Sequence, residues 1–199
     1  MQPTVIFRDF EERDIDFIYK CKNDEKLNSL IVGQYHPFTY EEAVDWVHGC
    51  MGEHETFKFW AIATNDEEQR IVGWVALSHI DKISRSVETH SLVINDPDYT
   101  DGFAWVESVL HMYRYGFEVL KMHKVYGRSL VGHSQSNLME KLLYLHQDGI
   151  LRDEIFKNGR YYDVSYTSML EGEYYAHKEA GDYEIRSLIK RIRPLRHYE

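Results

Sequence analysis

Three strand-like runs in succession, followed at once by a long helical pattern, constrain this chain more than any other feature. Residues 57–63 read as an alternating strand, Asn65-Asp66 breaks it, and residues 71–77 resume it. A third run over 87–95 ends at Asp96-Pro97, and Gly102 then opens a helix reaching about Leu120, with Trp105, Val109, Met112 and Phe117 among its apolar members. Upstream, Val5-Ile-Phe-Arg8 is a short strand, and Ile15, Phe17, Ile18 and Cys21 mark one side of a helix. Thr39-Tyr40-Glu41-Glu42 has the capping-box pattern, so a second helix carries Ala43, Val44, Trp46 and Val47. The apolar loop between these helices, residues 29–38, is a candidate pocket lining. Downstream, 124–130 is a strand, Ser134 caps a helix with Leu138, Leu142 and Leu145, and Asn158-Gly159 predicts a tight hairpin. The order β-α-α-β-β-β-α-β-α-β-β predicts a mixed α/β sheet with helices packed on it.

Composition narrows the function classes. The 199 residues suffice for one domain, and 43% apolar content supports a real core. A net charge of −10 argues against nucleic acid as a partner, because such binding needs basic surface. No run approaches the ~20 apolar residues of a membrane span, so no membrane partner is expected. Cys21 and Cys50 suit a reducing compartment, and Met1 is followed by Arg8 and Asp9 before any apolar run develops. Together these predict a cytoplasmic protein. Residues 176–199 carry six Lys/Arg against four Asp/Glu, a reversal of the acidic balance before them, which puts a domain over 1–175 and a tail over 176–199. Ile185, Leu188, Ile189 and Ile192 alternate there with Arg186, Lys190, Arg191 and Arg193, an amphipathic helix for docking on its own domain or on a second copy in a homodimer.

The segment Leu92-Val-Ile-Asn-Asp-Pro-Asp-Tyr-Thr-Asp-Gly-Phe-Ala104 is a strand, a turn, and a helix that starts at a glycine. The first N–H groups of such a helix lack internal partners and lie at its positive end, which suits an anion such as a pyrophosphate. Gly102 would let phosphates approach the backbone.

In its order of motifs the chain resembles the GNAT superfamily of acetyl-CoA-dependent N-acetyltransferases over roughly residues 4–175. Tyr99-Thr-Asp-Gly102-Phe-Ala104 matches the last two positions of the superfamily's phosphate loop. Ile6-Phe-Arg-Asp-Phe10, Trp60-Ala-Ile62, Ile71-Val-Gly73, Gly116-Phe-Glu-Val-Leu120, Gly149-Ile-Leu-Arg152 and Asn158-Gly-Arg-Tyr-Tyr-Asp163 resemble the branch of RimJ/RimL-type protein N-terminal acetyltransferases and spermidine N-acetyltransferases. The resemblance implies a mostly antiparallel sheet and acetyl-CoA as co-substrate. It implies transfer to a primary amine of an amino sugar, a polyamine or a peptide N-terminus. Departures from the pattern are Tyr99 in the Gln/Arg slot, Asp101 beside the expected pyrophosphate, His133 in place of an Asn, and Tyr144-Leu145 in place of Gly-Phe. They motivate the rival reading of a non-catalytic acyl-CoA-binding sensor or interaction module.

Acyl transfer to an amine needs a base, because an alkylammonium titrates near ~10.4, and a donor for the developing oxyanion. The resemblance implies Glu88 as base, on the strand before the loop, and a backbone N–H around Val93, Ile94 and Asn95 as donor. Arg85 is the expected salt-bridge partner if Glu88 is merely structural. Tyr99, Thr100, Asp101, Gly102, Phe103, Ala104 and His133 would hold the coenzyme, with Ser136 near its sulfur. Ile155 occupies the slot of a glutamate in RimL-type enzymes, and adjacent Glu154 should face the other way. The tyrosine that serves other members as acid falls on Met139. His48-Gly-Cys50-Met-Gly-Glu-His54 lacks a recognised ligand spacing, so no metal is expected.

Overall fold

A computed structural model of the chain describes residues 4–29, 31–33, 35–99, 102–184, 186–188 and 190–191. The strands are β1 (Val5–Arg8), β2 (Lys58–Thr64), β3 (Ile71–Asp81), β4 (Ser86–Ile94), β5 (Lys124–Leu130), β6 (His146–Lys157) and β7 (Arg160–Leu170). The helices are α1 (Ile15–Lys22), the single turn α2 (Glu25–Asn28), α3 (Tyr40–Cys50), α4 (Phe103–Arg114), α5 (Ser134–Leu143) and α6 (Glu171–Glu179). They build one 7-stranded sheet in the order β1-β2-β3-β4-β5-β7-β6. Every neighbouring pair is antiparallel except β4 and β5, which run parallel. The sheet is thus mixed and mostly antiparallel.

Local chemistry accounts for the boundaries. Thr39 Oγ1 accepts the Glu42 N–H at 3.2 Å while Glu42 Oε2 accepts the Thr39 N–H at 2.7 Å, the reciprocal box expected at the start of α3. Asn158 and Gly159 both have positive φ, 52° and 77°, as the tight β6–β7 turn requires. The cap of α5 differs from expectation. His133, not Ser134, is the cap, its Nδ1 accepting the Ser136 N–H at 3.3 Å, and Ser134 is already the first helical residue. Strand β2 departs too: five consecutive residues from Trp60 to Thr64 are buried, so it does not alternate between core and solvent. It lies inside the sheet with packed residues on both faces, where alternation is lost.

Two cores flank the sheet. On one face Val87 of β4, Val125 of β5, Leu142 and Leu143 of α5 and the apolar side of α4 form the larger cluster, joined by Tyr174, Tyr183 and Leu188. The opposite face carries Trp74 of β3 beneath Ile15, Ile18 and Cys21 of α1 and Ala43, Val47 and Cys50 of α3. Helix α6 crosses position 175, where the charge balance changes, and Leu188 is fully buried in the larger cluster. Ile185, Ile189, Ile192 and Arg193 lie outside the described residues. Among the described residues no helix is long and apolar enough to cross a membrane.

Candidate active site

The sheet opens in its middle. Strands β4 and β5 pair only from Ser86–Lys124 to Thr89–Gly127, although β4 continues to Ile94 and β5 to Leu130. A backbone feature of β4 turns them apart after a last close approach. On β4 an extra residue interrupts the register with β3 between His90 and Val93, and Ser91 there takes a left-handed φ of 49°, a β-bulge that turns the strand. At the last pair, a Cβ on Gly127 would stand 2.6 Å from Thr89 Oγ1, so only glycine allows this approach.

Beyond the bulge β4 stays locked to β3. Asn95 donates its N–H to the Val72 carbonyl at 3.0 Å. Successive residues of an antiparallel ladder point their N–H groups to opposite edges, so Ile94 turns its N–H away from β3, into the gap beside β5. Within the expected donor stretch over Val93, Ile94 and Asn95, Asn95 is committed to β3 and the Ile94 N–H faces the opening. Gly73, opposite Ile94, is pressed so close that a Cβ would lie 2.1 Å from the Val93 carbonyl oxygen.

From the gap the chain enters a single tight turn, Pro97–Tyr99, and then α4, which begins after Gly102 at φ 96° and ψ −10°. Glycine adopts that left-handed geometry without steric cost. Asp96 is buried beside Arg70 and receives the Asp98 N–H at 3.0 Å, which fixes the turn. Tyr99 packs against the larger core and Ala104 is buried within it, so neither side chain is free to reach far into solvent. Phe103 is the first helical residue. The expected contributions of Thr100 and Asp101 lie outside the described residues.

Glu88 sits on the face of β4 opposite Val87, the face covered by α1 and α3, and its carboxylate is almost fully buried. Arg128 Nε donates to Oε1 at 2.7 Å, and His79 Nδ1 lies 3.0 Å from Oε2. The expected partner Arg85 is elsewhere, donating Nη2 to Glu171 at 3.0 Å and Nε to the Lys121 carbonyl at 2.9 Å. Arg85 precedes β4 and so lies beyond the reach of Glu88, whereas Arg128 comes from the paired strand β5. His90, two residues along the same face, is open to solvent. The surrounding protein lowers its pKa, an effect the Lys22 charge reinforces and the Glu88 charge opposes.

On the other side of the gap, Ser136 Oγ meets His133 Nδ1 at 2.7 Å. Because Nδ1 also accepts the Ser136 N–H, it carries no proton, and the hydroxyl is the donor of this bond. Burial lowers the His133 pKa, which favours the neutral ring that such capping requires. Glu154 is exposed near a second bulge, where the β6–β7 register shifts between Leu151 and Ile155 and Asp153 has φ 52°. His79, His90 and Arg128 lie around Glu88, and sequence reading passes over them. Only the sheet register brings them to Glu88, and no local motif announces them. Among the described residues no group of three His, Cys, Asp or Glu is arranged to hold a metal.

A parallel pair splayed open at a bulge thus leads into a glycine-started helix. A family model described as acetyltransferase (GNAT) domain matches residues 4–142, and the chain belongs to that family. Membership makes it an acetyltransferase of the GNAT type. Among curated proteins, the spermidine N(1)-acetyltransferase of Vibrio cholerae is 25% identical over 175 residues, spanning 87% of this chain and 97% of the relative. A crystal structure of spermidine N-acetyltransferase from Vibrio cholerae, in complex with CoA and spermine, superposes with TM-score 0.75 at 22% identity, over 87% of this chain and 99% of that one. An acetyltransferase of the GNAT family from Bacillus anthracis gives TM-score 0.71 at 20% identity, over 85% and 96% of the two chains.

Proposed function

We propose that this enzyme acetylates the primary amine of a small molecule bound on the α1/α3 face of the sheet, with Glu88 as the base. The observation that carries the reading is the open β4 edge, which sets the free Ile94 N–H and the buried Glu88 carboxylate on either side of one bulge. The residues fit acetyl-CoA. The opened strand edge offers backbone donors and acceptors to an amide-bearing arm, and Gly102 adds no side chain of its own at the start of α4, which suits a phosphate. The coenzyme supplies the activated acetyl group, and the protein supplies position and proton handling.

In this reading the Ile94 N–H is aimed at the carbonyl oxygen that gains charge, which is worth several kcal/mol in such sites. Glu88 takes the proton of the amine through Oε2, directly or through a water, while Arg128 holds Oε1 in place. Ser136 lies near the sulfur. Its hydroxyl must leave His133 to donate there, at a cost of about 1 kcal/mol. The relatives named for spermidine make a polyamine the first acceptor to compare. Cys21 and Cys50 are buried free thiols, which supports a cytoplasmic setting. Calorimetric titration with acetyl-CoA tests the coenzyme part: saturable binding supports the reading, and heats that do not saturate at millimolar coenzyme overturn it.

A further inference from the structure

The α1/α3 face holds a cation without a counter-ion. Lys22, at the end of α1, points its ammonium into a ring of aromatic side chains, 4.5 Å from the Trp46 ring centroid, 5.3 Å from Phe38 and 5.4 Å from Trp74. Trp46 in turn meets Phe59 and Phe10 edge-on, each at 5.5 Å, so the ring is rigid. Among the described residues no carboxylate pairs with Lys22, and its hydrogen-bonding capacity is unused. The buried lysines, by contrast, are served: Lys58 reaches Asp9 at 2.8 Å and Glu53 at 2.9 Å, and Lys157 reaches the Asn28 and Ile31 carbonyls at 3.0 and 3.1 Å.

A second, independent observation lies in the same ring. The Nε1–H of Trp74 is buried and has no hydrogen-bond partner. A buried donor left unmade costs about 1–3 kcal/mol, so the indole N–H beside the Lys22 ammonium calls for an acceptor the protein does not provide. Trp74 is paired with Val93 across the β3–β4 ladder, beside the open edge, and the Lys22 charge is felt at His90. The ring therefore belongs to the acceptor side of the site. Lys22 is only partly buried. Burial disfavours its charged form, and an incoming anion would restore it.

We infer that the acceptor amine also carries an anionic oxygen group, a carboxylate or a phosphate, which docks on the Lys22 ammonium and the Trp74 indole N–H inside the Phe38–Trp46–Trp74 ring. This deepens the proposed function and rests on it. A second ammonium, as in a polyamine, would meet the like charge of Lys22 there, while the ring's aromatic faces are already engaged by the protein's own cation.

Two measurements test the site, one of them independent of turnover. Intrinsic tryptophan fluorescence of the whole protein is titrated with pentanoate and, separately, with inorganic phosphate, in the absence of acetyl-CoA. A saturable change with at least one anion is expected, weakened at least ~10-fold in Lys22→Met and in Trp74→Phe and kept in Lys22→Arg. The arm that saturates identifies the anion class. The kinetic arm compares 5-aminopentanoate, 2-aminoethyl phosphate and 1,5-diaminopentane as acceptors. An anionic acceptor should exceed the diamine at least ~10-fold in kcat/KM, and Lys22→Met should erase that ratio. The inference is overturned if neither anion gives a saturable change, if binding survives in Lys22→Met, or if the diamine is the best acceptor and the ratio ignores Lys22. Anion binding that depends on Lys22, with no amine acetylated, would instead sink the proposed function and leave the anion site standing.

Discussion

Replacing Glu88 with glutamine separates a base from a structural carboxylate. The substitution keeps size and one acceptor oxygen but removes the charge. Its structural cost follows from the two partners. Arg128 loses a charge-assisted bond of 2.7 Å, and His79 loses its partner at 3.0 Å. Breaking a fully buried ion pair costs about 3–5 kcal/mol. Here Arg128 is 31% exposed and His79 66% exposed, so solvent screens both and about 1–2 kcal/mol is the appropriate estimate. For a chain of this size that lowers the melting temperature by roughly 2–8 °C. If Glu88 takes the proton, kcat falls at least ~100-fold, about 2.7 kcal/mol of barrier, with little change in acetyl-CoA affinity. The assay is thiol release at saturating coenzyme and amine, at a temperature well below both transitions. A kcat within ~10-fold of wild type, alongside the expected melting shift, would refute the base role and leave Glu88 as an anchor for Arg128.

Three further outcomes follow from the same geometry. Gly73→Ala puts a methyl 2.1 Å from the Val93 carbonyl oxygen, so β4 must shift at the edge that carries the Ile94 N–H. We expect a loss of about 1–3 kcal/mol and acetyl-CoA binding weakened at least ~10-fold, by calorimetry; unchanged affinity would argue that the coenzyme does not use this edge. His111 is stacked on Phe7 at 4.0 Å, its Nε2 is buried without a partner, and burial pulls its pKa down to about 4. The unfolded chain binds that proton first, so the stability this neutral ring preserves is complete above about pH 6.5 and falls away as the pH drops toward 4, by up to about 3 kcal/mol. The melting-temperature difference between His111→Phe and wild type should widen in favour of the variant from pH 7.5 to pH 5, and an unchanged difference would contradict the account. Lys157 ties the β6–β7 hairpin to the α2 region through the Asn28 and Ile31 carbonyls, so Lys157→Met should raise the acceptor KM several-fold while leaving acetyl-CoA affinity unchanged. Equal effects on both would mean that the tether serves the whole fold.

Much of this fold was legible because its signals are local. The Thr39-Glu42 box, the Asn158-Gly159 turn and the apolar stripes of α1 and α4 each act within a few residues, and each appears where the sequence puts it. The glycine at the start of α4 was legible for the same reason, since a left-handed φ of 96° has one natural occupant. Partners across the sheet were not legible. Arg85 is three residues from Glu88 in sequence, yet Arg128, 40 residues away, makes the bond, because the parallel β4–β5 register sets β5 beside β4. Likewise the bulge at Ser91 leaves no mark in the residue types, although it opens the strand edge on which the proposed chemistry depends. The Lys22 ring draws on α1, a loop, α3 and β3, and no spacing rule joins those segments.

The most direct measurement is mass-spectrometric analysis of the products when the protein is incubated with acetyl-CoA and a panel of small primary amines. The account predicts one acetylated amine for each CoA thiol released, and thiol release that stops when the amine is omitted or when Glu88 is replaced by glutamine. Tight coenzyme binding with no amine-dependent thiol release would contradict it.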